Sequence, residues 1–194
     1  MPDRKDIIEK VRLCLDEVST LSEGTTIADP QIEGQLDDSA VSLLKLLPSI
    51  LCPITTPSPL PEVDNDIITC PSDFIKLSEV KLDTWYNSVE IPLPIAHPRT
   101  RMESYQFLAA MPSNPLVAIN KKEDGFYLYV RPEGSIEVFN YVKRPEKAED
   151  LTEEVWDMLA WHAAERIYAA HGEERGAALC KGRLEELIKT SLLM

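Results

Sequence analysis

The stretch CPITTPSPLPEVDN, residues 52–65, constrains the chain more than any other, because four prolines (Pro53, Pro57, Pro59 and Pro61) fall within it. Each proline fixes φ and removes an amide donor, so neither a helix nor the interior of a sheet can run through the stretch. It reads as an extended connector over residues 53–66, and it separates two kinds of hydrophobic pattern.

Before the connector the period is helical. In DRKDIIEKVRLCLDEVSTL the apolar positions Ile7, Ile8, Val11, Leu15 and Val18 recur at helical spacing, with Asp3 or Asp6 placed to cap the start. The segment SEGTTIADPQIEG breaks that helix, and DDSAVSLLKLLPSIL predicts a second one ending near Pro48.

After the connector the period alternates. DIITCPSDFIKLSEVKLDTWYNSVEIPLPI offers several short strands, and PLVAINKKEDGFYLYVRPEGSIEVFNYV predicts three strands joined by turns at Glu123-Asp124-Gly125 and Pro132-Glu133-Gly134. Between these segments AHPRTRMESYQFLAAMPSN has no period, so residues 94–114 read as a long loop of the kind that carries function.

Helix returns near the end. Thr152 is placed as an N-cap with Glu153 and Glu154 in the first turn, and Val155, Leu159, Ala163, Ile167 and Ala170 share one face. Gly172 ends this helix, and a last one from about Glu174 carries Ala178, Leu184, Leu187 and Ile188. The expected fold class is therefore α+β: a helical bundle from residues 1–52 and 146–194, with a small antiparallel β domain, residues 67–145, inserted into it.

The richest apolar run, SLLKLLPSILCPI, is interrupted by Lys45, Pro48 and Pro53, which excludes a bilayer span there. MPDRKDIIEKVR carries charge where a signal peptide needs an apolar core, which predicts a protein kept inside the cell that makes it. Cys14, Cys52, Cys70 and Cys180 form no CxxC pair and are expected to be buried thiols. The net charge of −13 argues against a nucleic-acid clamp. Residues 1–70 hold five basic and thirteen acidic side chains, residues 71–145 nine of each, and residues 146–194 six and eleven. The ends are acidic and the middle is neutral.

His162 and Glu165 share a helix face, but bundle metal sites use Glu-x-x-His on two helices, whereas here the order is reversed and has no second copy. His171 falls on the opposite side of the helix from His162, which makes them solvated or helix-terminal histidines and predicts no metal and no cofactor. Cys180 lies mid-helix and Cys14 on an apolar face, so neither is placed as a nucleophile. GxSxG, GxxxxGK(S/T) and GxGxxG are all missing from the sequence. The chain reads as non-enzymatic, with a small helical metal enzyme as the remote alternative.

Trp85, Tyr86, Phe126, Tyr127, Tyr129, Phe139 and Tyr141 crowd the β segment without the interleaved basic charge of a single-strand stacking platform, which favours core packing or a protein interface. Trp156 and Trp161 lie about 140° apart around a helix, so they cannot share one narrow buried stripe, and one of them would face a partner.

The order of elements is also informative. CPSDFIKLSEVKLDTWYNSVEIPL, a long loop ending in SNPLVAI, then FYLYVRPEGSIEVFNYVKRPE, then LTEEVWDMLAWHAAERIYAAHGEE and a closing amphipathic helix resemble the head-to-tail adaptor, or neck-ring connector, proteins of tailed bacteriophages, in particular podovirus-type and crAss-like members. Pro71, Asp73, Phe74, Trp85, Asn114, Pro115, Tyr129, Pro132, Tyr141 and Ala164 carry the likeness, which covers residues 68–190 and the N-terminal helix. Arg131 before Pro132 and the long proline connector have no counterpart in that pattern.

The resemblance implies a virion structural protein made in the host bacterial cytoplasm. It would form a ring subunit below the portal, touch the portal and the tail or neck proteins, self-associate on assembly, and pass DNA without sequence-specific binding. The protein contacts chosen from aromatic and basic groups outside the clear apolar stripes are Trp156, Trp161, Tyr168, His97, Arg99, Arg101 and Tyr105. The alternative is a bacterial protein-binding module that docks through the β domain.

Overall fold

The computed structural model describes residues 3–18, 27–101 and 109–193. The chain divides into two compact units, residues 1–53 with 144–194, and residues 54–143. The fold class is α+β, with helices at both chain ends.

The first unit holds α1 (Arg4–Val18), α2 (Asp29–Leu46), α4 (Glu153–Ala170) and α5 (Glu174–Ser191); a short α3 (Pro98–Arg101) belongs to the second. Helix α1 buries Ile7, Ile8, Val11, Cys14 and Leu15, as its periodicity predicts. Helix α2 begins at Asp29, inside the segment expected to break structure. Pro30 falls in the first turn, where amides have no intrahelical acceptor and a missing N–H is harmless. The Gln31 side chain accepts the Ala28 N–H at 3.0 Å, and Gly34 sits where the surroundings are open.

Helix α4 packs against α1, α2 and α5. It buries Val155, Trp156, Met158, Leu159, Ala160, His162, Ala163, Ala164, Ile167 and Tyr168, which is most of its circumference. Ala170, expected on the buried face, is exposed in the last turn. The helix stops as predicted at Gly172, whose φ of 76° is left-handed. The Glu173 N–H donates to the Tyr168 carbonyl at 2.9 Å and the Gly172 N–H to the Ala169 carbonyl at 3.1 Å, the two bonds of a Schellman stop. Helix α5 buries Gly176, Cys180 and Leu184, so Ala178, expected inside, is exposed. All four cysteines are buried, and burial pushes the Cys14, Cys70 and Cys180 thiols up to about 12.

An ionic tie joins the two ends of the chain. The Arg4 guanidinium meets Asp37 of α2 and Glu149 after the β unit, each at 3.0 Å. Asp37 also accepts the Ala148 N–H at 2.9 Å. Burial alone would push the Asp37 carboxyl up, but Arg4 and this amide outweigh it and hold the group below its ordinary value.

Among its described residues the second unit holds eight strands: β1 (Ile54–Thr55), β2 (Val63–Asp64), β3 (Ile67–Thr69), β4 (Phe74–Leu82), β5 (Leu93–Pro94), β6 (Leu116–Lys122), β7 (Gly125–Arg131) and β8 (Ile136–Lys143). One sheet has the order β1-β8-β4 and the other β2-β3-β7-β6-β5. Every pair is antiparallel except β5 on β6, so the expected antiparallel sheet gains one parallel edge strand. The proline stretch is not a free connector. Ile54 pairs with Val142 and Val63 with Ile68, and the prolines fall outside these two short edge strands, where a missing donor is tolerated.

The β6–β7 turn at Glu123-Asp124 is as predicted, with Gly125 at a φ of 149°. Strands β7 and β8, expected to be neighbours, lie in different sheets, because the Pro132–Gly134 turn carries the chain from one to the other. Ile68, Leu77, Val80, Leu128, Val130 and Phe139 come from both sheets into one core, which Trp85 joins from the chain after β4.

Arg4→Met leaves two carboxylates around an empty site and should lower the unfolding free energy by about 1–2 kcal/mol. Lys10→Met, which removes the exposed pair with Asp157, should change it by less than about 0.5 kcal/mol. Urea melts of the two variants measure the difference.

Candidate interaction surface

Between β4 and β6 the chain makes an excursion, and its root is fixed by the turn that switches sheets. The Asp83 carboxylate accepts the Ser135 N–H at 2.9 Å, the Thr84 hydroxyl donates to the Glu133 carbonyl at 2.7 Å, and the buried Trp85 indole N–H donates to the Pro132 carbonyl at 2.8 Å. A Cβ on Gly134 would lie 2.5 Å from the Asp83 oxygen and 2.7 Å from the Thr84 hydroxyl. Both atoms are held by those hydrogen bonds, so only glycine fits.

Further out, each limb of the excursion is tied. The Val89 N–H and carbonyl bond to Val80 of β4 at 2.8 and 2.9 Å, and β5 lies parallel to β6. The Ile95 N–H reaches the Ile119 carbonyl at 3.1 Å, and the Tyr86 N–H joins the outgoing limb to the Pro112 carbonyl of the returning one at 2.8 Å. The Thr100 hydroxyl lies within donating distance of the Ile95 and His97 carbonyls, at 2.8 and 2.6 Å. Arg99 donates to the Asn114 carbonyl at 3.0 Å.

This framework holds apolar side chains outside the core. Tyr86 is 75% exposed and Ile91 82%, with Ile95 and Met111 also exposed. From Ile91 to Met102 the sequence contains Arg99 and Arg101 and no carboxylate. Exposed aliphatic and aromatic groups on a braced backbone suit a protein contact better than free solvent.

The residues expected to make contacts divide three ways. His97 is exposed and Arg99 half-buried, both on the excursion. Arg101 closes α3, while its side chain and Tyr105 lie outside the described residues. On the helical unit Trp161 is half-buried, but Trp156 is 3% and Tyr168 0% exposed, which corrects the expectation that they face a partner. The Trp156 indole N–H donates to the Leu151 carbonyl at 3.1 Å and the Tyr168 hydroxyl to the Leu15 carbonyl at 2.8 Å, so both polar ends are satisfied inside the unit. Of the β aromatics, Trp85, Phe139 and Tyr141 are core and Tyr86 is exposed. Sequence reading passed over Tyr86, Ile91, Ile95 and Met111 as contacts. The prolines in EIPLPI were the available signal, since Pro92 and Pro94 confine that segment to a sheet edge.

His162, expected to be solvated or helix-terminal, is instead buried in the middle of α4, which corrects that expectation. Its Nε2 lies 2.9 Å from the Ser42 hydroxyl and its Nδ1 3.1 Å from Glu165. The order serine, histidine, carboxylate is that of a hydrolase triad. Ser42 sits inside α2, however, where the surrounding amides bond along the helix and none is left to hold an oxyanion. Among the described residues no group of three or more His, Cys, Asp or Glu side chains could hold a metal ion. The relay acts as a polar link between α2 and α4, and burial holds the imidazole below its ordinary value despite the Glu165 carboxylate.

No protein-family model matches the chain, and no curated protein is significantly similar to it. No helix among the described residues is long and apolar enough to cross a membrane.

Two predictions arise here. Because the native His162 value is lowered, the unfolded chain binds more protons between about pH 6.5 and that lower value, so stability falls as pH drops through this window. Urea midpoints from pH 8 to pH 5 should decline more steeply for the native protein than for His162→Gln. Gly134→Ala should cost about 1–3 kcal/mol by the same assay, since the atoms it meets cannot withdraw without breaking a hydrogen bond.

Proposed function

We propose that the chain is a non-enzymatic structural subunit of the head-to-tail connection of a tailed phage or prophage, and that it docks on its protein neighbours through the β4–β6 excursion. The observation that carries this reading is the exposed set Tyr86, Ile91, Ile95 and Met111, held outside the core by a root anchored at Trp85. An apolar surface on a floppy loop could fold inward, whereas one on a braced loop stays available. The element order supports the more specific part of the reading: two helices, an inserted β unit and two closing helices follow the sequence that resembles phage connectors.

On this reading the subunit joins a ring below the portal, touches the portal and neck or tail proteins, and lets DNA pass without reading its sequence. Its place is the virion. The acidic charge is compatible with a conduit that avoids tight phosphate contacts. A bacterial docking module would use the same surface, and portal and capsid genes beside this one would decide for the connector.

Mixing the protein with the portal encoded nearest to it, followed by mass determination and negative-stain imaging, should give rings capping the portal. Ile91→Asp and Tyr86→Ala should each weaken that binding by about tenfold or more, while Trp156→Phe, which alters a buried ring, should not. A well-folded monomer that leaves the portal bare would overturn the connector reading.

A further inference from the structure

We draw no further inference here: the strongest candidate, the acidic groove between α1 and α2 around the exposed Leu13, carries nothing, because nothing in the structure shows what covers it.

Discussion

Helix α4 has almost no free side, and the helical unit depends on that burial. Ala160, Ala163 and Ala164 let its backbone approach its neighbours closely, and the polar groups it carries inward each have a partner: His162 on Ser42, Trp156 on the Leu151 carbonyl, Tyr168 on the Leu15 carbonyl. Its partners α1 and α2 precede the β unit in sequence and α5 follows it, so the core of this unit is incomplete until both ends of the chain meet. Arg4, bonded at once to Asp37 and Glu149, fastens the same closure at its edge. The β unit makes the closure easier, because Ile54 pairs with Val142 and Thr55 with Tyr141, which sets the outgoing and returning chains side by side.

That burial explains what sequence periodicity could and could not reveal. The start of α4 after Thr152, its stop at Gly172 and the apolar face of α1 were legible, because an acidic first turn, a glycine stop and a single stripe are local signals, although the Thr152 side chain makes no capping bond. Trp156 and Tyr168 were misplaced because a one-stripe reading puts large aromatics outside it, whereas a helix packed on three neighbours buries nearly all round. The early start of α2 was hidden by Pro30 and Gly34, both of which look like breakers until the first is seen in the first turn and the second in open space.

In the β unit the strands themselves were legible and their partners were not. Alternation gives each strand a buried face but says nothing of which strand lies beside it, so β7 and β8 read as neighbours although they belong to different sheets. The information that separates them is tertiary: Asp83, Thr84 and Trp85 capture the Pro132–Ser135 turn. That same capture holds the root of the excursion, so one local arrangement both divides the sheets and positions the exposed surface. The sequence carries it as one glycine, Gly134, with nothing in its neighbours to announce why.

The excursion's composition bears on why its apolar groups stay outside. Pro92, Pro94, Pro98, Pro112 and Pro115 punctuate it, and each removes backbone freedom that a docking loop would otherwise have to lose on binding. The backbone bonds from Tyr86 to Pro112, from Ile95 to Ile119 and between Val80 and Val89 remove more. Ile91 and Tyr86 therefore stay exposed, while Val80, Leu82 and Trp85 of the same unit fill its core. A surface built this way gains little from solvent and loses little entropy on being covered. Those two conditions together make an exposed isoleucine useful as a contact, and they hold whichever protein is the occupant.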